Sequence, residues 1–194
     1  MSVLEKRLVI RDNKMIVKLN KDEADSFLAK AIEKSERYKV LAPDNKSPYG
    51  FNHIHGHFVG MVCEHASFVL FNEIENSTGI KLNIDPAFQS DGRDGECDIL
   101  VNNLRIEVKG IKYKSWKDFG PCVSTRQLKN IQKKADVVLW VLYNEKKQEF
   151  SFEGFNYVKD ISSVPVVLTG VPGRVMIENH PVLSIIKPLQ ELPL

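Results

Sequence analysis

The segment Gly95–Lys109 constrains the fold of this chain most strongly, because apolar and polar side chains alternate in it on both sides of Asn102-Asn103. Asparagine tolerates a positive φ angle, so the Asn102-Asn103 pair predicts a two-residue turn between two strands. A slip of one residue would turn the charged side chains into the core, and the register is therefore well defined. The residues expected to face each other are Val101 and Leu104, Ile99 and Ile106, and Asp98 and Glu107.

The two faces of this predicted hairpin differ in chemistry. Successive side chains of a strand point to opposite faces. One face is apolar and carries Cys97, Ile99, Val101, Leu104, Ile106 and Val108. The other face carries Asp98, Leu100, Arg105, Glu107 and Lys109. We expect the apolar face to pack in the core and the second face to present the functional groups.

Asp98 and Glu107 face each other in this register, with β-carbons about 5 Å apart. Facing carboxylates repel each other, and a divalent cation held by both would turn that repulsion into coordination. Mg²⁺ prefers such oxygen ligands, and Lys109 lies on the same face, within reach of a bound water or a phosphate oxygen. The alternative is an ordinary solvent-facing hairpin in which Arg105 and Lys109 neutralise the two acids.

Glu64 is the third candidate acid. It lies in a predicted helix over residues 58–77, which is apolar on most sides and ends near Gly79. An unpaired carboxylate is costly to bury, so Glu64 indicates either a site that holds metal or water, or a narrow polar stripe. Glu73 competes for this role, but its polar neighbours predict a solvated helix end.

The rest of the chain predicts a mixed α/β fold in which helices flank a mixed central sheet. We expect residues 1–55 to form an N-terminal hairpin and helix appended to a core of residues 56–194 with C-terminal strands that close the sheet. In the N-terminal part we expect strands on both sides of a turn at Asp12-Asn13, a helix from the Asn20–Glu23 capping box to about Tyr38, and a loop over 42–57. Strands are then expected around 82–88, 97–101 and 104–109, followed by a loop over 110–123. A helix from the Ser124–Gln127 capping box to about Lys134 leads into a buried strand over Val137–Tyr143.

Basic residues are concentrated in residues 105–134, which hold nine Lys or Arg and two acids, so that this segment is +7 and the rest of the chain is −5. Such a zone suits a polyanionic partner, although a solvated lysine face would have the same composition. Aromatic residues interleave with the cations here, and they either stack on bases or anchor the segment to the core. The candidate nucleic-acid contacts are Lys112, Lys114, Lys117, Arg126 and Lys129.

The cysteines and the apolar segments indicate in which cellular compartment the protein is expected. Cys63, Cys97 and Cys122 are odd in number and widely spaced, which fits neither a disulfide framework nor a CxxC metal site. The N-terminus has no signal-peptide pattern, and no apolar run approaches the length of a membrane span. We therefore expect a soluble, cytoplasmic protein without a membrane partner.

The pattern of Asp98 followed by Glu107-Val108-Lys109 resembles the PD-(D/E)xK nuclease superfamily, which includes restriction endonucleases and Holliday-junction resolvases. The preceding Gly60-x-x-x-Glu64 and the segment Gly95–Asp98 also look like the first helix and core hairpin of that family. The resemblance covers roughly residues 56–143 and implies a restriction endonuclease-like core. One departure is Cys97, which stands where the family has its name-giving proline.

Carried over to this chain, the resemblance implies that Asp98 and Glu107 bind a metal ion together with the carbonyl of Val108. Glu64 would bind the ion directly or through water, and Lys109 would orient or activate the attacking water. Mg²⁺ is the expected ion, with Mn²⁺ able to replace it. Gln127 falls where some members carry a glutamine near the site, although it also completes the capping box with Ser124.

Three histidines at alternate positions, His53, His55 and His57, indicate a competing metal site. Alternate side chains converge only on an extended segment, and the spacing fits no common zinc module. We therefore expect a metal-dependent endonuclease that acts on nucleic acid, DNA before RNA, with a homodimer possible. The alternatives are a catalytically inactive nucleic-acid-binding module on the same fold and a histidine-centred metalloprotein.

Overall fold

A computed structural model describes residues 7–41, 53–85, 96–169 and 176–194, and within these ranges it leaves the side chains of residues 37–41 and 53 undescribed. The helices and strands, in chain order, are β1 Leu8–Arg11, β2 Lys14–Lys18, α1 Lys21–Leu41, α2 His53–Thr78, β3 Ile84–Asp85, β4 Ile99–Val101, β5 Leu104–Lys112, α3 Tyr113–Phe119, β6 Cys122–Ser124, α4 Thr125–Lys134, β7 Val137–Asn144, β8 Glu149–Tyr157, α5 Val158–Ile161, β9 Val167–Thr169 and β10 Ile177–Pro181.

Seven strands form one mixed sheet in the order β1-β2-β8-β7-β5-β4-β3. Strands β5 and β7 are parallel, and the other neighbours pair antiparallel. Since parallel strands need a long connection, the chain passes through α3, β6 and α4 between β5 and β7. The predicted mixed α/β fold with helices on a central sheet is confirmed at this level.

Strand β7 is the middle strand, as its continuous apolar run predicts. All residues of Val137–Tyr143 are buried. Alternate residues face opposite sides of the sheet. Leu139 and its neighbours on one face pack with α2, whereas Trp140 on the other face packs with α4 and α5. Two apolar layers therefore cover the sheet.

The N-terminal segment is part of the main sheet, so its description as an appendage over residues 1–55 is wrong for the described residues. Strand β2 pairs with β8, and buried Val17 and Phe27 belong to the same core as α2. The Asp12-Asn13 turn is confirmed, with φ angles of 51° and 60°. The capping box of α1 is confirmed as well, because the side chains and backbone amides of Asn20 and Glu23 bond reciprocally.

The C-terminal strands do not close the main sheet. Strand β10 pairs instead with β6 and β9 in a separate three-stranded sheet. The last turns return to β8, where Phe155 and Lys187 exchange backbone hydrogen bonds of 3.0 and 2.8 Å. None of the helices among the described residues has the length and apolar character needed to span a membrane.

Candidate active site

The β4–β5 hairpin has the predicted register. Val101 pairs with Leu104 and Ile99 with Ile106, and Asn102 has the expected positive φ, 53°. The expected pairing of Asp98 with Glu107 is not part of the ladder, because the Asp98 backbone N–H donates to the carbonyl of Ile106 (2.9 Å). The first strand therefore begins at Ile99, two residues later than the expected start at residue 97, and Asp98 lies just outside it.

Where the backbone ladder between β4 and β5 stops, the side chain of Asp98 bonds to β5. Its Oδ2 accepts a 2.7 Å hydrogen bond from the backbone N–H of Val108. The N–H and C=O groups of one strand residue point to the same edge, so the Val108 carbonyl also points to the edge where Asp98 lies. This arrangement brings a carboxylate and a strand carbonyl, both implied by the resemblance as ligands, to the same edge of β5.

Glu107 is buried, with 5% of its surface exposed, so the hairpin does not present this carboxylate to solvent. Two lysines contact its carboxylate. Lys109 Nζ lies 2.7 Å from Oε1, and Lys134 Nζ lies 2.6 Å from Oε2. A buried carboxylate is tolerated only when opposite charges or hydrogen bonds compensate it, and these two ammonium groups provide that compensation.

Glu64 reaches this region because α2 lies unusually close to β5. A Cβ atom added at Gly110 would come within 2.5 Å of Cys63 Sγ and 3.1 Å of the Val59 carbonyl. Only a glycine allows this approach. Since Glu64 directly follows Cys63, the contact at Gly110 sets the height of Glu64 along β5.

The three carboxylates influence one another. Glu64 is half-buried by surface area, yet burial of its carboxylate raises its pKa to about 8, with Asp98 contributing to the increase. Burial and then the neighbouring Glu107 raise the pKa of Asp98 to about 6. Burial acts in the same direction on Glu107, but Lys109 and Lys134 outweigh it and hold the pKa of that carboxyl below its usual value. The three side chains therefore form one electrostatic cluster.

The cluster has the chemistry of a magnesium site but is not gathered into one. Among the described residues, no three His, Cys, Asp or Glu side chains stand close enough together to hold a metal ion. Both oxygens of Glu107 are engaged by ammonium groups. The donors, however, are carboxylates and a carbonyl, the oxygens that Mg²⁺ prefers, and burial together with the neighbouring carboxylates raises the pKa of Glu64 and of Asp98. In their chemistry these oxygens fit a divalent cation, which Asp98, Glu107, Glu64 and the Val108 carbonyl would hold.

The role of Lys134 was not predicted from the sequence. This residue ends α4, far from the hairpin in sequence, and only the packing of α4 on the sheet brings it to Glu107. One local signal was available. Lys134 lies three residues before the buried strand β7, whose first residue, Val137, pairs with Ile106, so the end of α4 had to lie beside the start of β5.

Gln127 is not part of the cluster. Its side chain accepts from the backbone N–H of Ser124 (3.4 Å), and its own N–H donates to Ser124 Oγ (3.2 Å). The residue is exposed and lies in the first turn of the helix that Lys134 ends, about 10 Å away along the axis at 1.5 Å per residue. The structure therefore confirms the capping box, and a role of Gln127 near the site stays a prediction.

The segment after β5 is not the expected loop. Strand β5 extends to Lys112, and α3 follows directly. Trp116 packs edge-on against Trp140 at 6.4 Å, so it anchors α3 to the core. Tyr113 and Phe119 are 63% and 58% exposed. Of the proposed nucleic-acid contacts, Lys112 pairs with Glu145, while the exposed ones are Lys114, Lys117, Arg126 and Lys129.

The three histidines lie in the first turns of α2, which begins at His53 and not after a loop ending at residue 57. Alternate positions on a helix are about 200° apart, so His55 and His57 diverge. His55 Nε2 lies 3.3 Å from Glu145 Oε1. The side chain of His53 is outside the described residues, and the remaining pair does not form the predicted histidine centre.

A shallow cleft of about 280 Å³ lies elsewhere, against strands β2 and β8 and the C-terminal turn. Its charged residues are Asp12, Lys14 and Glu153, and the last two pair with each other. The cleft therefore offers no cluster of titratable groups comparable to the one around Glu107, which remains the better candidate.

No protein-family model, curated protein or solved structure matches this chain. The candidate site therefore depends on the arrangement of its own residues.

Proposed function

We propose that this protein is a divalent-metal-dependent endonuclease that hydrolyses phosphodiester bonds, with DNA as its substrate and a restriction endonuclease-like core. The observation that supports this proposal most is the hydrogen bond from the backbone N–H of Val108 to the Asp98 carboxylate. Val108 directly follows buried Glu107, whose carboxylate contacts two lysines. Carboxylates are rarely buried side by side, because each ionised carboxylate raises the free energy of ionising the other. Such a pair therefore supports a functional role for these residues.

In this proposal Asp98, Glu107 and the Val108 carbonyl hold Mg²⁺ or Mn²⁺, and Glu64 adds a direct or water-mediated contact. The ion, when bound, supplies Lewis-acid stabilisation of the charge that develops on the phosphate. The chain's own contribution is to fix these oxygens. Asp98 is oriented by the Val108 N–H (2.7 Å), and Glu64 is held in place by the close approach of α2 at Gly110.

Lys109 has the second role. Its Nζ lies 2.7 Å from Glu107 Oε1 and is partly exposed, with 24% of the side chain accessible. An ammonium in this position orients a water molecule for attack or contacts a phosphate oxygen, and it also stabilises negative charge in the transition state.

The substrate is nucleic acid in this proposal because α3 and α4, which follow the strand that carries Glu107 and Lys109, present exposed cations. Exposed lysines and arginines neutralise phosphates without reading sequence. Exposed Tyr113 and Phe119 add surfaces on which bases can stack. Cleavage of both strands of a duplex would be served by a symmetric homodimer, and a cytoplasmic setting completes the proposal.

The test is cleavage of supercoiled plasmid in Mg²⁺ or Mn²⁺ by the wild type and by Asp98→Asn. We expect the wild type to nick or linearise the plasmid, EDTA to stop the reaction, and the variant to lose about 10²-fold or more. Asp136→Asn is unsuitable as a control because Asp136 is bonded to Arg105, whereas Glu73→Gln, on the same helix as Glu64, is suitable. Equal activity of the wild type and Asp98→Asn would contradict the proposal.

A second candidate is a catalytically inactive nucleic-acid-binding module. The observation in its favour is that lysines engage both oxygens of Glu107, as they would in a permanent ion-pair network. Under this alternative the protein binds DNA but neither binds Mn²⁺ nor cleaves DNA or RNA. Calorimetric titration with Mn²⁺ therefore distinguishes the two candidates independently of finding the right substrate.

A further inference from the structure

Lys134 is the residue of the carboxylate cluster to which the proposed reaction assigns no role. Its Nζ lies 2.6 Å from Glu107 Oε2, and 21% of its side chain is exposed. Lys109 lies two residues after Glu107 on the same strand, and side chains two residues apart in a strand lie on the same face. Its contact with Glu107 is therefore a local one. Lys134 comes from a different element, so its contact depends on where α4 is docked.

The end of α4 is held in place by a set of bonds next to Lys134. Arg105 Nη2 and Nε donate to the two carboxylate oxygens of Asp136 at 2.7 and 3.1 Å. The backbones of the same two residues also bond, from the Asp136 N–H to the Arg105 carbonyl (2.8 Å). Arg105 Nη1 approaches the carbonyl of Lys133 at 3.4 Å. The residues on both sides of Lys134 are thus tied to the start of β5, and its side chain is directed to Glu107.

The packing of the apolar face of α4 also fixes the position of Lys134. Leu128, Ile131 and the adjoining Ala135 are buried in the second core cluster together with Val138. Since Val138 pairs with Glu107 across the parallel strands, the helix is docked on the face of the sheet from which Glu107 projects. The position of Lys134 is therefore built into the fold, in contrast to that of a mobile surface lysine.

We propose that Lys134 is a positioning residue: a tethered counter-cation that holds the Glu107 carboxylate and competes with the divalent ion for its Oε2 oxygen. This inference rests on the proposed function, since it assumes that Glu107 binds a metal ion. A buried carboxylate without a cation would be strongly unfavourable, and Lys134 supplies one whenever the ion is absent. When an ion binds, the long, partly exposed lysine side chain can turn outward, where its ammonium meets a polyanionic substrate.

The inference predicts opposite effects of one substitution on two properties. Lys134→Met removes a positive charge a few ångströms from the ion, so we expect Mn²⁺ to bind about tenfold more tightly. The same variant leaves Glu107 less well compensated, so in EDTA its melting temperature should fall by about 4 °C or more. A residue that served only to pack α4 would lower the melting temperature without tightening Mn²⁺ binding.

The experiment is calorimetric titration of Mn²⁺ into the full chain, with thermal melting in EDTA as the companion measurement. Lys133→Met is the matched control, because Lys133 is exposed and only its backbone carbonyl approaches Arg105. Lys134→Gln serves if the methionine variant does not fold, since it removes the charge but keeps a hydrogen-bond donor. Lys134→Arg keeps the charge and should retain the wild-type Mn²⁺ affinity.

The results that support the inference are tighter Mn²⁺ binding in the Met or Gln variant and wild-type affinity in the Arg variant and the Lys133 control. It is overturned if the wild type binds Mn²⁺ and loss of the Lys134 charge leaves that affinity unchanged or weaker. Failure of the proposed function has a different signature: neither the wild type nor any variant binds Mn²⁺ or cleaves plasmid, which would overturn both.

Discussion

The backbone N–H of Val108 donates a 2.7 Å hydrogen bond to Asp98 Oδ2, and this bond joins two residues that the β4–β5 ladder leaves unpaired. It holds the Asp98 carboxylate beside Val108, the residue that follows Glu107 in β5. It also fixes which edge of β5 the Val108 carbonyl faces. The candidate site is therefore centred on the start of strand β4, where the side chain of Asp98 and not its backbone bonds to Val108.

Protein stability should depend on Glu64 in a defined pH window. Burial, and then Asp98, raise the pKa of Glu64 to about 8, whereas in the unfolded chain it lies near 4.3. The folded state thus binds the proton more tightly, and this contribution to stability is present below about pH 4 and lost as the pH rises through 8. In EDTA, the free energy of unfolding should fall between pH 5 and 9 in urea titrations, by the linkage just given.

Glu64→Gln should flatten this pH dependence, and Glu73→Gln on the same helix should retain it. Mn²⁺ reverses the preference, because an ionised carboxylate binds the cation. Binding of Mn²⁺ should therefore strengthen as the pH rises and release protons measurable by calorimetry in buffers of different ionisation enthalpy. A wild-type stability that stays constant across this range would contradict the account of Glu64.

Gly110→Ala should separate α2 from β5. The added methyl would lie 2.5 Å from Cys63 Sγ, and overpacking of this kind lowers stability by about 1–3 kcal/mol. Since Glu64 is displaced with α2, plasmid cleavage should fall more than stability alone explains. Gly56→Ala, on α2, is the control, because nothing lies within 4 Å of its added Cβ. Denaturant titration and cleavage assays at a temperature where both variants are folded check the prediction.

Lys109→Met and Glu107→Gln should separate catalysis from metal binding. Loss of Lys109 removes the group that acts on water, so cleavage should fall by about 10²–10⁴-fold while Mn²⁺ still binds. Loss of the Glu107 charge should abolish both. Calorimetry and plasmid cleavage on the same preparations provide the comparison, and a Lys109→Met variant that cleaves like the wild type would refute the role given to Lys109.

The cations of α3 should contribute to DNA affinity through phosphate contacts. Lys114→Ala and Lys117→Ala should weaken binding uniformly across sequences, and each lost contact should lower the slope of log affinity against log salt by about 0.9. Lys146→Ala and Lys147→Ala are matched controls, exposed in the turn between β7 and β8. Fluorescence anisotropy with a labelled duplex and with a single strand, at several salt concentrations, measures both quantities. Equal losses in the two pairs would place the interface elsewhere.

The register of the hairpin and the centre of the sheet could be predicted from sequence, because both depend on local patterns. Asn102 supports the turn, and the apolar run of β7 admits only a buried strand. The departure of Asp98 from the ladder was not predictable in this way. It depends on competition between the backbone and a carboxylate for the same N–H of Val108, and a period of two does not encode that competition.

Long-range contacts explain the other differences. Lys134 reaches Glu107 only because α4 docks on the sheet, and α2 begins at His53 even though Gly56 and the preceding prolines suggested a loop. The N-terminal hairpin was expected as an appendage because nothing in residues 7–19 indicates that β2 would pair with β8. Such pairings bring together residues more than a hundred positions apart in the chain.

In the proposed function, Asp98 and Glu107 bind one divalent ion between them. The most direct test of this binding is the anomalous scattering of Mn²⁺ soaked into crystals of the wild-type protein. We predict one peak at about 2.0–2.3 Å from carboxylate oxygens of both residues, with Lys134 Nζ moved away from Glu107. A peak only elsewhere, such as beside His55, or no peak with both lysines still on Glu107 at saturating Mn²⁺, would contradict the account.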